Sequence, residues 1–553
     1  MQSTMMSTPL SLNLLLERAR RPYGGVEVIT RRPDRSLHRT TYGAMYPRAR
    51  QLAQALVKAG LKPGDRVGTL MWNHAVHLET YFGIPAAGGV VHTLNLRLFP
   101  DDIAYIANHA GDRFLIVDDC LLPLYEKFRD KVKFERVFVV GFDGTIKLDG
   151  RAERGRGPAF EDYESFIAPP ADDFKYVEVD ENAACGMCYT SGTTGNPKGV
   201  VYSHRSSVLH AFGMALPDSV GLSFRDTVLP VVPMFHVNAW TLPYVAVMTG
   251  ARLAFPGPHL DSESLLDLMQ ETGTTISAGV PTICMAMLAA LRKEPARWKL
   301  KDEIRMLVGG SAVPQSLIKG LDEFGLHIVE AWGLTETSPI ASVCRQRPEL
   351  DALPEDERLR LRAQAGIVVP LVELRIMDED GEAPWDGQSV GEVEVRGPWV
   401  TGSYYNRPDS ADRFSPDGWF RTGDVAAMTP EGIICITDRA KDLIKSGGEW
   451  ISSQALENEL MAHPAVAEAA VIAVPHEKWM ERPLAVVVKR AGMEVTPEQL
   501  RAHLKGKFAD WWLPEAYTFI EQIPRTSTGK FQKLKLREMF TDWSKLEDAA
   551  RRT

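Results

Sequence analysis

Cysteine is scarce in this chain, with six in 553 residues. Cys185 and Cys188 form the one close pair, and no second pair exists to complete a zinc site. Their surroundings read as a strand, where residues three apart face opposite sides, so buried apolar thiols are expected. Nothing calls for disulfides, which suits a reducing cytoplasm. Basic residues are in deficit: 63 Lys and Arg stand against 72 Asp and Glu, a formal net charge of -9. That balance disfavours broad nucleic-acid binding, which depends on neutralising many phosphates. Clean apolar runs are missing too. Val228–Gly250 goes 23 positions without a charge, but Pro230, Pro233 and Pro243 interrupt it and His236 and Asn238 are polar. A membrane span there would leave backbone groups unsatisfied in lipid, so a buried, pocket-lining segment is expected. The start of the chain lacks a basic lead-in, and Leu10–Leu16 is too short and polar for a signal peptide. No Gly-x-Ser-x-Gly is present, which removes support for a serine hydrolase.

What is present points to a soluble globular protein, with 44% hydrophobic and 24% charged residues. The length exceeds one core, so at least two domains are expected. Strand-like and helix-like runs alternate early: Val67–Met71, Ala75–Ala87, Val90–Leu94, Asp101–Ala110, Phe114–Val117, Leu121–Lys131 and Val137–Val140. Such alternation predicts parallel sheets covered by helices. Residues 142–165 read as an exposed loop. After residue 437 the texture changes. Asp438–Gly448 is charged and then Gly-rich, like a linker, and the elements beyond are short: a helix over Gln454–Ala462, strands over Glu468–Val474 and Leu484–Lys489. Thr496, Pro497 and Gln499 mark a helix start with a capping box. The expected fold is α/β, with a large N-terminal domain of helix-covered mixed sheets over 1–437 and a small, mobile α+β C-terminal domain over 438–553.

One segment is built for phosphate. In Tyr189-Thr-Ser-Gly-Thr-Thr-Gly-Asn-Pro-Lys-Gly199, three glycines allow close backbone approach and inward-facing amides. Thr190, Ser191, Thr193 and Thr194 add hydroxyls, and Lys198 adds charge. It is not the Gly-x4-Gly-Lys-[Ser/Thr] loop, because Pro197 precedes the lysine and bars a helix from starting at the phosphates. Further on, Trp332 offers a flat face for stacking a base. Glu336 is a hard oxygen ligand suited to Mg²⁺. Asp424 offers a bidentate acceptor, and Arg439 a fork of donors. Lys530, in Pro524-Arg-Thr-Ser-Thr-Gly-Lys530, is a late cation that can neutralise two approaching anions.

The segment 189–199 resembles the phosphate loop of the adenylate-forming superfamily, which includes acyl-CoA synthetases, beetle luciferases and peptide-synthetase adenylation domains. Four more segments resemble that superfamily's motifs in the expected order. Glu330-Ala-Trp-Gly-Leu-Thr-Glu-Thr-Ser-Pro339 is similar to the adenine and magnesium segment. Gly418–Asp424 is similar to the ribose motif, Asp438–Gly448 to the hinge and Pro524–Lys530 to the C-terminal lysine motif.

The resemblance implies ATP, Mg²⁺ and coenzyme A as cofactor and co-substrates. Thr190, Ser191, Gly192, Thr193, Thr194, Gly195 and Lys198 would hold the phosphates. Gly310, Ser311, Ala331, Trp332, Gly333 and Thr335 would line the nucleotide, and Asp424 and Arg439 its ribose. Thr190 and Glu336 would hold the metal. Lys530, Glu336 and Thr190 would serve the first step, in which a carboxylate attacks ATP to give acyl-AMP. Rotation about Lys441 would then bring in Lys445, Ser446, Gly447, Gly448 and Glu449 for attack by the CoA thiol. Val232–Trp240 is similar to the acyl-pocket stretch of bacterial fatty-acyl-CoA synthetases, with His236, Trp240, Val280 and Gly309 lining the pocket. A medium- or long-chain fatty acid is the leading substrate. A short or thioether acid such as 3-methylthiopropanoate, or luciferase-like oxygen chemistry, stands as the alternative. The resemblance further implies a homodimer; the acidic balance points to no nucleic-acid partner, and the interrupted apolar run to no integral membrane segment.

Overall fold

Alternation along the strands already dictates layering. Val28 buries into one hydrophobic core and its neighbour Ile29 into another, so the strand Glu27–Arg31 has two buried faces. The structure is a computed structural model that describes residues 1–142, 158–190, 196–446, 449–476, 478–525, 530–541 and 543. Among the described residues, two large sheets dominate. One runs in the order Ile367–Val368, Ile340–Val343, Leu326–Gly333, Ile304–Gly309, Ile276–Gly279, Thr227–Pro230, Arg252–Phe255, Glu27–Arg31, Leu37–Thr41. Its centre is parallel and its outer pairs are antiparallel. The other runs Phe160–Asp162, Arg136–Val140, Asp112–Asp118, Arg66–Leu70, Val90–Thr93, Ala184–Tyr189, Gly199–Ser203.

Helices Leu12–Arg20, Tyr42–Lys58, Ala75–Ala86, His204–Ala215 and Leu242–Thr249 share one core with inner faces of both sheets. Ala75–Ala86 is buried on every side, as an apolar helix in a middle layer must be. Ser262–Thr272, Pro281–Lys293 and Gln315–Asp322 cover the other face of the first sheet, and Pro100–Ala110 that of the second.

A smaller antiparallel sheet follows, Glu373–Met377, Gly391–Arg396, Phe420–Met428, Ile434–Arg439. The last part of the chain has its own sheet, Glu449–Ile451, Ile444–Ser446, Met480–Lys489, Val466–His476, with Ala516–Phe519 parallel to Met480–Lys489. It also has its own cores around Leu456, Leu460 and Val471, and around Ile472, Val486 and Leu536. The large mixed-sheet N-terminal part and the smaller C-terminal part are thus as expected. The capping box at Thr496 is present: Gln499 N donates to Thr496 Oγ1 at 3.4 Å and Thr496 N to Gln499 Oε1 at 2.9 Å.

Some local expectations change. The helix predicted over Leu121–Lys131 breaks into short turns at Asp119–Leu121, Leu122–Tyr125 and Arg129–Lys131. Phe128 leaves helical geometry and buries its ring edge-on against Tyr125. Within the predicted loop, Phe160–Asp162 pairs with Arg136–Val140, and Asp162 caps the helix Tyr163–Ile167; residues 143–157 lie outside the described residues. The predicted linker begins inside a strand, since Arg439 pairs with Asp424. The uncharged run Val228–Gly250 divides between the strand Thr227–Pro230, a tight turn and the helix Leu242–Thr249. Among the described residues, no helix is long and apolar enough to cross a membrane.

Candidate active site

The phosphate-type loop joins the antiparallel strands Ala184–Tyr189 and Gly199–Ser203. Its base is zipped by two bonds: Thr190 N donates to Lys198 O at 2.9 Å, and Lys198 N donates to Thr190 Oγ1 at 3.2 Å. Ser191, Gly192, Thr193, Thr194 and Gly195 lie outside the described residues. The Lys198 ammonium sits 4.8 Å from the centre of the Tyr404 ring. Cys185 and Cys188, on the same strand, are buried free thiols whose pKa burial pushes up to about 12 and about 11.

Glu336 follows the strand Leu326–Gly333, in the turn Thr335–Thr337. It is 9% exposed, and its Oε1 accepts the Tyr404 hydroxyl at 2.5 Å. Main-chain anchors fix the turn: Tyr202 Oη donates to Thr335 O at 2.8 Å, and Thr401 N donates to Glu336 O at 2.8 Å. Asp424 is buried between two donors. Arg439 Nε lies 2.6 Å from Oδ1, and Trp332 Nε1 donates to Oδ2 at 2.8 Å.

Two cavities meet at this point. One is lined by Gly310, Ser311, Ala331, Trp332, Gly333, Asp424, Arg439 and Lys441, among others. The second, of about 200 Å³, runs past Thr190, Lys198, Thr335 and Glu336 to an apolar end at Val231, Val232, Trp240, Val280 and Ile340. Both are lined by Gly310, Ala331, Trp332, Gly333, Arg439 and Lys530. Lys530, from the far end of the chain, therefore stands at their junction. A Cβ on Gly310 would lie 3.2 Å from Lys530 Cε, and Gly310 has φ +91°. Burial, reinforced by the Arg439 cation, lowers the Lys530 pKa to about 8.

The apolar end is tightly built. A Cβ on Gly309 would meet Ala331 O at 2.4 Å and Trp240 Cη2 at 3.5 Å, so glycine is required there. His236 is held neutral, its pKa lowered to about 3 by burial and then by Lys530 and Arg97. Val237, Asn238, Ala239, Trp240 and Thr241 all have positive φ, between +38° and +63°. Left-handed backbone costs residues other than glycine and asparagine about 1–2 kcal/mol each, and this strain persists only where surrounding packing imposes it. Asn73 supplies part of that packing upstream. Its Nδ2 donates to Pro230 O (2.9 Å) and Val232 O (3.0 Å), and its Oδ1 accepts from Met234 N (2.7 Å).

The fold thus gathers Thr190, Lys198, Gly310, Ser311, Ala331, Trp332, Gly333, Thr335, Glu336, Asp424, Arg439, Lys441, His236, Trp240, Val280 and Lys530 around one continuous space, with Gly309 behind Trp240. It does not bring Lys445 or Ser446 there. Lys445 is exposed, its ammonium 5.1 Å from the centre of the Trp450 ring, and Ser446 Oγ accepts from Arg482 at 3.2 Å. Glu449 pairs through its backbone with Ser446, and Gly447 and Gly448 lie outside the described residues. Tyr404, Tyr202, Arg97 and Asn73 were not foreseen. Tyr404 lies 68 positions from Glu336, so no local spacing announces their contact.

The family model for the AMP-binding enzyme matches residues 16–405, and that for the AMP-binding enzyme C-terminal domain matches 455–530. The chain is 51% identical to the long-chain-fatty-acid–CoA ligase of Thermus thermophilus, over 98% of this chain and 97% of that protein. It is 44% identical to the 3-methylmercaptopropionyl-CoA ligase of Ruegeria lacuscaerulensis, over 98% and 99%. Among solved structures, an anthranilate CoA ligase in complex with anthranoyl-AMP superposes with a TM-score of 0.83 at 26% identity, covering all of both chains. Such likeness supports the chemistry of an AMP-forming acid–thiol ligase. The chain belongs to the AMP-binding enzyme family, with the N-terminal and C-terminal parts of that family both present.

Proposed function

We propose that the protein is an ATP-dependent acyl-CoA ligase that converts an apolar carboxylic acid first to acyl-AMP and pyrophosphate, then to acyl-CoA and AMP. The observation that carries this reading is the position of Lys530, at the junction of a cavity with nucleotide-binding chemistry and a cavity with an apolar end. In the first step a carboxylate oxygen must approach the α-phosphorus of ATP. Both partners are anionic, so a preorganised cation between them is worth most in the transition state. Asp424 and Arg439 would hold the ribose, Trp332 the base, and Thr190 and Lys198 the β,γ-phosphates.

The oxygen donors of Glu336 and Thr190 face the same space and suit Mg²⁺, which would neutralise phosphate charge when bound. The small domain is taken as 438–553 against 1–437, and the part of it beyond Lys441 would then turn about that residue. That turn would withdraw Lys530 and present Lys445, Ser446 and Glu449 to coenzyme A. The apolar lining and neutral His236 favour an uncharged tail, with a medium- or long-chain fatty acid as leading substrate and a short thioether acid as the alternative. This reading also takes the protein as a cytoplasmic homodimer.

The test is AMP and pyrophosphate release with CoA across acids of rising length, including a thioether acid. Acid-dependent AMP release that peaks on one class supports the reading. Acid-dependent oxygen uptake without thioester would overturn it.

A further inference from the structure

Lys533 lies three residues after Lys530, at the first position of the helix Lys533–Met539. Unlike most lysines it is not solvated. Its side chain is 12% exposed, and its ammonium lies 2.7 Å from Glu457 Oε1 and donates to Ser453 Oγ at 2.6 Å. Glu457 is itself buried, and its Oε1 accepts Val471 N at 2.7 Å. Ser453 in turn donates through its N and Oγ to Asp438 Oδ2, the former at 2.8 Å. Asp438 belongs to the strand Ile434–Arg439, whose next residue, Arg439, lines both cavities. Next to this cluster, Arg537 of the same helix donates to Asp442 Oδ1 and to Lys441 O. Other groups hold the base of the Lys530 segment: Gln532 N donates to Pro524 O at 2.8 Å, and Arg525 bridges Phe531.

A buried ammonium held by a buried carboxylate and a hydroxyl is costly to move, because displacement leaves the Glu457 carboxylate uncompensated. Three residues of chain span at most about 10 Å, so an anchor at Lys533 restricts where Lys530 can reach. We propose that Lys533, locked onto Glu457, Ser453 and through it Asp438, is a positioning residue that holds Lys530 at the cavity junction during the first half-reaction. The anchor runs from the last helix to the strand ahead of Lys441. It therefore belongs to this orientation of the C-terminal part, and turning about Lys441 would part Ser453 from Asp438. The inference rests on the role proposed above for Lys530.

The experiment separates the half-reactions in Lys533→Met, Lys533→Arg, Glu457→Gln and Lys530→Ala, with Lys530→Ala/Lys533→Met as the double variant. Adenylation is followed by pyrophosphate release without CoA, and thioester formation by CoA consumption from synthetic acyl-AMP. Misplacing a reacting cation by about 1 Å is expected to lower adenylation kcat on the order of a hundredfold. Lys533→Met should show that loss with ATP KM and the thioester step within about twofold, and Lys533→Arg should recover part of it. In the Lys530→Ala background, Lys533→Met should cost nothing further. Should Lys533→Met melt early, Glu457→Gln carries the same comparison. Equal loss in both half-reactions, or full additivity with Lys530→Ala, overturns the inference. If Lys530→Ala itself leaves adenylation intact, the underlying reading fails instead.

Discussion

Trp332 Nε1 donates to Asp424 Oδ2 at 2.8 Å, while Arg439 takes Oδ1 of the same carboxylate. Trp332 thus lines both cavities and orients Asp424 through its indole N–H. A hydrogen bond to a charged acceptor is worth about 1.5–3 kcal/mol.

Trp332→Phe keeps an aromatic face and removes that donor. ATP affinity should fall about tenfold or more, with the KM for the acid nearly unchanged. Calorimetric titration with ATP reads the first and steady-state kinetics the second. A parallel rise in both constants would mean general damage to the site.

Lys530→Ala should lower acyl-AMP formation by about two to three orders of magnitude, while thioester formation from synthetic acyl-AMP largely survives. The pH dependence has a defined sign. The cation is the working form and its pKa is lowered to about 8, so adenylation by the free enzyme should decline as pH rises through that value. Lys530→Arg, always charged, should lose that alkaline limb. Single-turnover adenylation between pH 6 and 9.5 (roughly the useful range around this pKa) makes the comparison.

Tyr404 joins the phosphate loop to the acidic turn, its ring beneath Lys198 and its hydroxyl on Glu336. Tyr404→Phe preserves the ring and frees the carboxylate to swing. The Mg²⁺ concentration needed for half-maximal ATP binding should rise several-fold, about 1 kcal/mol, with the melting temperature little changed. Unaltered Mg²⁺ dependence would show that the contact serves stability alone.

Lys441→Pro should impair thioester formation more than adenylation. Proline would lock φ at 441 and restrict Ala440, where a rotation between the two parts needs freedom. The same two half-reaction assays decide it, and undiminished thioester formation would rule out a hinge at this position.

Much of this protein was readable before any fold. Strand and helix alternation announced helix-covered sheets, because side-chain periodicity follows directly from backbone geometry. Thr496 and Gln499 announced a helix start, because a capping box is a contact between residues three apart. Tyr189–Gly199 raised the expectation of phosphate chemistry, because glycine and hydroxyl content act locally, and Thr190 and Lys198 line the cavity that also holds Glu336. Leu121–Lys131 misled because its apolar spacing suits a helix, while in the structure Phe128 takes φ -128° and ψ 1° and the run divides into short turns.

Residue identity alone determined which groups can carry charge, stack or approach closely: Lys530, Glu336, Trp332, Gly309. Tertiary structure decided where they act. It placed Lys530 at a junction formed by strands some two hundred residues upstream, leaving its ammonium poorly solvated and less basic. It alone joined Trp332 to Asp424 and Tyr404 to Glu336, and forced Val237–Thr241 into left-handed backbone that valine, alanine, tryptophan and threonine disfavour. The reason is that pKa, hydrogen-bond partner and strain depend on neighbours in space, and chain order does not list those neighbours.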